Sequence, residues 1–257
     1  MEFSMDKWTK HKALIKNEQL KPYLPETTLL DKETFWDLME RYGKVVVKPS
    51  MGSFGRGVTY IKKAEDNEYE FWSEMNKVRT NGKEQTFQNV QRYLIKEENI
   101  VQQAVTVGQI KGAPFDLRVM VQRKKGSRKW AVTGMVAKVA AENYFVTNAA
   151  GRVLHVQAAF EESNIKTIDS NALIKEIENI ALLAAKQLSR YYPKQRVFGL
   201  DIGIDIEGKP WIFEANCNPF LVLFEILKDE KMLNKIKEFK RNRGRSRMVR
   251  YKKRKGN

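Results

Sequence analysis

The sequence predicts an α+β fold with mostly antiparallel sheets, on three observations. Segments of strand character come in neighbouring pairs, 44–48 with 58–61, 117–122 with 130–139 and 197–206 with 210–215, each joined by a turn or a glycine-rich loop. No strand–helix unit of the kind that builds a parallel sheet recurs, and no internal repeat is visible. The length of 257 residues gives room for one large core or two small ones, and 42% hydrophobic with 11% aromatic residues can fill them.

Each element has a local reason. A first helix starts near Asp6 and runs past Leu14, after which Pro22 and Pro25 break the chain. Asp31 caps a helix over 32–42 that turns Phe35, Leu38 and Met39 to one side and ends at Gly43. Residues 44–48 form a short buried strand stopping at Pro49, 50–57 a glycine-rich loop, and 58–61 a returning strand. Another strand is expected over 68–72. Residues 81–92 fit either period and are read as helix, and 100–105 as a strand. The runs 117–122 and 130–139 alternate as an antiparallel pair across a Lys-Lys-Gly-Ser turn. Over 170–191, Leu173, Ile177, Ile180, Ala181, Ala184 and Leu188 make one apolar stripe, ended by Pro193. A hairpin follows around Glu207-Gly208-Lys209, and 219–239 is read as one final helix. The expected division is 1–99, 100–227 and a helix with basic tail over 228–257.

The net charge of +16 suggests a nucleic-acid binder until it is divided. Residues 228–257 hold 14 Lys and Arg against 3 acids, a net of +11, which leaves only +5 for the rest. Residues 240–255 contain no acid. Such a block is either a solvated tail or a dock for an anionic partner: nucleic acid, an acidic protein coat or anionic lipid. With Cys217 as the single cysteine no intrachain disulfide forms, which points to a reducing, cytoplasmic setting. His11, His155 and Cys217 alone cannot make a His/Cys zinc site. No apolar run reaches the roughly 18 residues of a membrane span, and the first residues lack a signal-peptide core.

Two constellations carry chemistry. In Pro49-Ser50-Met51-Gly52-Ser53-Phe54-Gly55-Arg56-Gly57, the glycines let backbone N–H groups turn towards an anion, Ser53 adds a hydroxyl, and Lys48 emerges at the strand end. The spacing is neither a P-loop nor a dinucleotide fingerprint. A strand–loop–strand flap over a triphosphate remains, though no HRD or DFG accompanies it; the plain alternative is an ordinary glycine-rich hairpin. The second is Asp201 on one strand with Glu214 and Asn216 on the next. If the hairpin turns at 207–209, Asp201 lies beside Glu214, and two carboxylates with an amide oxygen suit Mg²⁺. The alternative is that these acids point to solvent, which is the reading for Asp205 beside the turn. Cys217 reads as a small packed side chain.

Together these parts resemble ATP-grasp enzymes. Ser4-Met5-Asp6-Lys7 and Val45-Val46-Val47-Lys48-Pro49-Ser50 resemble the opening of D-alanine–D-alanine ligases. Ile100-Val101-Gln102-Gln103-Ala104-Val105, Asp116-Leu117-Arg118-Val119, Thr147-Asn148-Ala149-Ala150-Gly151 and Glu214-Ala215-Asn216 resemble the ribosomal-protein glutamate ligases. The likeness is greatest to the YheC/YheD-like spore-coat-associated group and covers about residues 1–227.

The resemblance implies an ATP-grasp fold, two α+β subdomains clamping ATP, and carboxylate–amine or carboxylate–thiol ligation through an acyl phosphate. Lys7 and Lys48 would contact phosphates, with Ser53, Phe54 and Gly55 in the flap above them. Gln103 and Ala104 would form the adenine hinge through backbone groups, and Asp116 would hold the ribose. Arg118 and Lys138 would face phosphoryl transfer, Asp201, Glu214 and Asn216 would ligate one or two Mg²⁺ or Mn²⁺, and Asn148 and Arg152 would meet the carboxylate substrate, with a surface role as the equal alternative for Arg152. The implied substrates are small-molecule or peptide carboxylates and amines, and the implied setting is cytoplasmic with a spore-coat association. Gln103 stands where an acid is common and Lys138 where Arg is common, which removes bidentate phosphate contact there. The family's usual N-terminal domain is expected to be largely missing. Two rivals stand beside this reading: a non-catalytic ATP-binding or structural coat protein, and a nucleic-acid binder acting through residues 240–257.

Overall fold

The sequence folds around two antiparallel sheets that face each other across a cavity. The computed structural model describes all residues except 1–2, 53–55, 66, 74–75, 95–97, 142–143, 145–146, 148–149, 167–168 and 242–257. In chain order the elements are α1 (Lys7–Ile15), a 3₁₀ turn (Lys21–Tyr23), β1 (Thr27–Leu29), α2 (Lys32–Tyr42), β2 (Lys44–Pro49), β3 (Thr59–Lys63), β4 (Glu68–Ser73), β5 (Asn76–Asn81), α3 (Lys83–Tyr93) and β6 (Asn99–Gln103). There follow β7 (Gln109–Ile110), β8 (Ala113–Gln122), β9 (Ala131–Ala140), β10 (Ala150–Leu154), α4 (Val156–Glu162), α5 (Ser170–Leu188), β11 (Val197–Ile204), β12 (Pro210–Asn216), α6 (Val222–Leu227) and α7 (Glu230–Lys240).

The first sheet runs β1-β6-β2-β3-β4-β5 and the second β10-β9-β8-β11-β12, with β7 beside β8. Asp31 caps α2 through a capping box with Thr34, and Gly43 closes it at φ 66°, so both expected ends are real. The apolar face of α2 fills the first core with Phe35, Leu38 and Met39 against Val45, Val47, Ile61 and Phe71. The stripe of α5 fills the second core, where Leu173, Ile177, Ile180, Ala184 and Leu188 pack among Phe115, Leu117, Phe198 and Ile202.

Packing divides the chain differently from 1–99 and 100–227. Ala13, Leu14, Leu20 and Leu24 belong to the second core, while β6 sits between β1 and β2 in the first sheet. The single helix expected over 219–239 is two. Lys228 turns left-handed at φ 57°, and Asp229 accepts from the Met232 N–H to start a new helix. The ambiguous 81–92 segment resolves into the last residue of β5 and the helix α3. Asp205 does not point to solvent. It accepts from Trp211 Nε1 at 2.9 Å and from the N–H groups of Glu207 and Lys209, closing the β11–β12 turn.

Candidate functional site

A cavity of about 1340 Å³ opens between the sheets. Strand alternation decides its lining: Val46 and Lys48 of β2, Tyr60 of β3 and Gln102 of β6 share one face, and Asp116, Arg118, Lys138, Asp201, Glu214 and Asn216 come from the facing sheet. Among the described residues nine Lys and Arg but only four carboxylates line it. The excess of positive charge within low-dielectric walls suits a polyanion.

At one end α1 is tied to the glycine-rich loop. The Lys7 N–H donates to the Ser50 carbonyl at 2.8 Å, and Lys7 Nζ donates to the Gly52 carbonyl at 2.9 Å. Gly52 adopts φ 114°, a conformation that a side chain would oppose. Ser50 Oγ donates to Asp6 Oδ1, and Asp6 also caps α1 through Thr9. Burial pushes the Asp6 carboxyl up, but hydrogen bonds with Ser4, Thr9 and Ser50 outweigh it and hold it at about 2.

Lys48 is buried. Its Nζ donates to Gln102 Oε1 at 2.8 Å and to the Phe213 carbonyl at 3.3 Å. Burial pulls its pKa down to about 8, against the attraction of Glu214 and Asp201. The Phe213 carbonyl is available because the β11–β12 ladder slips: Asp201 pairs Glu214, but Ile202 pairs Ile212, so Phe213 is an extra residue in a bulge. Sequence reasoning chose Gln103 and overlooked Gln102. Gln103 turns its Oε1 away to accept from the Glu26 N–H. Cross-strand register with Val46 was the signal that separates the two.

On the facing sheet four buried charges interlock. Arg118 donates from Nε to Asp201 Oδ1 at 2.8 Å and from Nη2 to Oδ2 at 3.0 Å. Lys138 Nζ lies 3.0 Å from both Asp201 Oδ1 and Asp116 Oδ1, and Thr147 Oγ1 donates to Asp116 Oδ2 at 2.5 Å. Register makes these neighbours, since Arg118 lies opposite Asp201, and Asp116 opposite Lys138. Burial raises the Asp201 carboxyl, yet Lys138 and Arg118 outweigh it and hold it at about 2. For Asp116 burial wins over Lys138, and its pKa rises. Burial lowers Arg118 and Lys138, but their carboxylate neighbours leave both raised.

The expected metal set is brought together with one correction. Asn216 Nδ2 donates to Asp201 Oδ2 at 3.3 Å, so all of the roughly four lone-pair positions of the Asp201 carboxylate face Arg118, Lys138 or Asn216. Asp201 is therefore first a partner of cations. Glu214 has Lys7 Nζ only at 3.9 Å. Its carboxylate and the Asn216 amide oxygen are hard donors that fit a divalent cation. No cluster of three or more His, Cys, Asp or Glu that could hold a metal ion occurs among the described residues.

The remaining candidates divide. The Gln103 and Ala104 N–H groups donate to the Glu26 and Lys44 carbonyls, at 2.8 and 3.4 Å, so what these two residues can offer an adenine edge is carbonyl oxygen. Arg152 is not among the cavity-lining residues; it is exposed on β10 and pairs with Glu162 at 3.2 Å. Of the two readings of Arg152, that placement is the surface one. Ser53, Phe54, Gly55 and Asn148 lie outside the described residues. Cys217 is buried, and burial raises its thiol pKa, as suits a packed side chain.

The sequence pattern of a family described as YheC/D like ATP-grasp matches residues 2–240. The endospore coat-associated protein YheD of Bacillus subtilis (strain 168) is 26% identical over 234 residues, 85% of this chain and 49% of that protein. YheC of the same organism is 22% identical over 220 residues, 83% of this chain and 60% of that protein. The chain thus spans about half the length of the curated relatives it matches. D-alanyl-alanine synthetase A from Vibrio cholerae shares the fold, with a TM-score of 0.51 at 13% identity over 92% of this chain and 64% of that one.

Proposed function

The chain belongs to the YheC/D-like ATP-grasp family, and on that premise we propose that it is an ATP-dependent ligase joining a carboxylate to an amine or thiol. The observation that carries the reading is the convergence of Lys7, Lys48, Arg118 and Lys138 with Glu214 and Asn216 on one strongly cationic cavity.

In this reading ATP lies between the sheets with its adenine against the Ala104 carbonyl and its ribose near Asp116. Lys7 and Lys48 hold phosphate oxygens. A divalent cation held by Glu214 and Asn216 would supply further neutralisation of phosphate charge. Arg118 and Lys138 face the transferring group, positioned until then by Asp201. A substrate carboxylate oxygen attacks the γ-phosphorus as the bond to ADP breaks, giving an acyl phosphate. The amine nitrogen then forms its bond to the acyl carbon, phosphate leaves, and the nitrogen's proton passes to water. The protein's part is to position the reactants and neutralise charge. By likeness to YheD and YheC, a spore-coat association is part of the proposal.

The test is ADP release with Mg²⁺ across a panel of amino acids and short peptides, wild type against Glu214→Gln. Substrate-stimulated release in the wild type and a loss of at least about 100-fold in the variant is expected. Equal background release in both would overturn it.

A further inference from the structure

The surface charge of the folded body is concentrated where three segments meet, far from the cavity. The β8–β9 turn, the α5–β11 connection and the end of α7 come together through two side chains. The Arg123 guanidinium donates to the carbonyls of Pro193 and Gln195 and lies over the Trp130 ring. Lys124 Nζ pairs with Glu238 at 2.7 Å and sits over Phe239. Residues 123–130, 190–196 and 235–241 hold twelve Lys and Arg and a single acid, Glu238. The acid is already taken by Lys124, whereas Lys125, Arg128, Lys129, Lys240 and Arg241 are exposed. None of these segments lines the cavity. Gln122, where β8 ends before this face, is four residues beyond Arg118, about 13 Å at the rise of a strand.

We propose that this face binds the phosphodiester backbone of nucleic acid without reading its bases. A duplex carries one charge per about 1.7 Å of axis, and a broad cationic face releases its counterions on contact. In sequence, 243–255 holds eight further Lys and Arg and no acid, and the proposal does not depend on them. Anionic lipid is the weaker partner, because none of the exposed large hydrophobic side chains falls in the three segments.

The experiment measures binding of the full-length chain to a fluorescein-labelled 30-base-pair DNA duplex of mixed sequence by anisotropy, from 50 to 200 mM salt. The wild type is compared with K125E/R128E/K129E, with K240E/R241E, and with a full-length variant whose eight Lys and Arg in 243–255 are Gln. Each lost phosphate contact flattens the log–log salt slope by about 0.9, so the triple variant is expected to flatten it by about 2 to 3 and weaken binding at least tenfold. The flattening persists when 243–255 is neutral. ADP affinity and melting temperature stay unchanged in the triple variant, which separates lost binding from lost folding. The K240E/R241E variant, on a different element, is expected to flatten the slope by about 2. The proposal is overturned if both body variants keep the wild-type slope, or if vesicles of 30% phosphatidylserine or poly-glutamate bind more tightly than the duplex.

Discussion

The backbone carbonyl of Phe213 accepts a hydrogen bond from Lys48 Nζ at 3.3 Å, joining a buried lysine of one sheet to a bulged residue of the other. Gly203 makes this possible. A Cβ there would lie 2.2 Å from Phe213 Cε2 and 2.9 Å from Val107 Cγ1. Gly203→Ala should therefore push the Phe213 ring aside, with a cost of about 1–3 kcal/mol to stability. Urea denaturation and ADP titration together check this: both stability and affinity should fall. Unchanged affinity would separate the bulge from the site.

Lys48 should give nucleotide binding a pH dependence. Its pKa in the fold is about 8, below the usual 10.5. The charged form is the one a phosphate needs, so ADP affinity should decline as pH rises through about 8, and Lys48→Arg should remove that inflection. Stability behaves in the opposite sense. The unfolded chain binds the proton more tightly than the fold between about pH 8 and 10.5, so the unfavourable contribution of Lys48 is complete below 8 and fades as pH climbs through that window. Calorimetric ADP titrations from pH 6.5 to 9.5 check the first statement.

Asp201→Asn should be among the most damaging substitutions. It leaves Arg118 and Lys138 buried without their shared carboxylate, and breaking such a pair costs about 3–5 kcal/mol. Asp201 and Asp6 are both held at about 2 against the usual 3.8. Their contribution to stability is present above about pH 4 and is lost as pH falls towards 2. Chemical denaturation at pH 7 and pH 3 checks both parts: the wild type should lose stability at pH 3, and the variant should lose less.

Divalent cations alone should bind weakly. The lone pairs of Asp201 already face Arg118, Lys138 and Asn216, which leaves Glu214 and Asn216 to act without it. Mn²⁺ titrations followed by electron paramagnetic resonance should show affinity at least tenfold weaker without ADP than with it. Equal affinities in the two titrations would refute the saturation of Asp201.

Much of this architecture was legible in the sequence, in specific places. The hairpin around Gly208 put Asp201 opposite Glu214, as its alternation and turn required. The slip that frees the Phe213 carbonyl was not legible from strict alternation, because the buried side chains Pro210, Ile212 and Ala215 change phase across Phe213 and Glu214, where a period of two expects no change. Strand β1 has three residues and β5 is mostly exposed and polar, so neither carries an apolar period. The break at Lys228 escaped notice because a left-handed lysine has no compositional sign, although Asp229-Glu230 is a helix start. Arg152 was drawn to the site by its nearness to a motif; its partner Glu162 sits ten residues away on α4.

The packing described above has a mechanical consequence. The chain passes between the two cores twice, at 24–27 and at 104–108, and the crossings lie side by side, with the Gln103 N–H donating to the Glu26 carbonyl. They join the two halves at the Ala104 end of the cavity. The contact between Lys7 and Ser50 crosses again at the other end, from a helix seated on the second core to the loop that follows β2. The two halves are thus tied at both ends of the cavity, so any widening of its mouth must break the hydrogen bonds of Lys7 to Ser50 and Gly52.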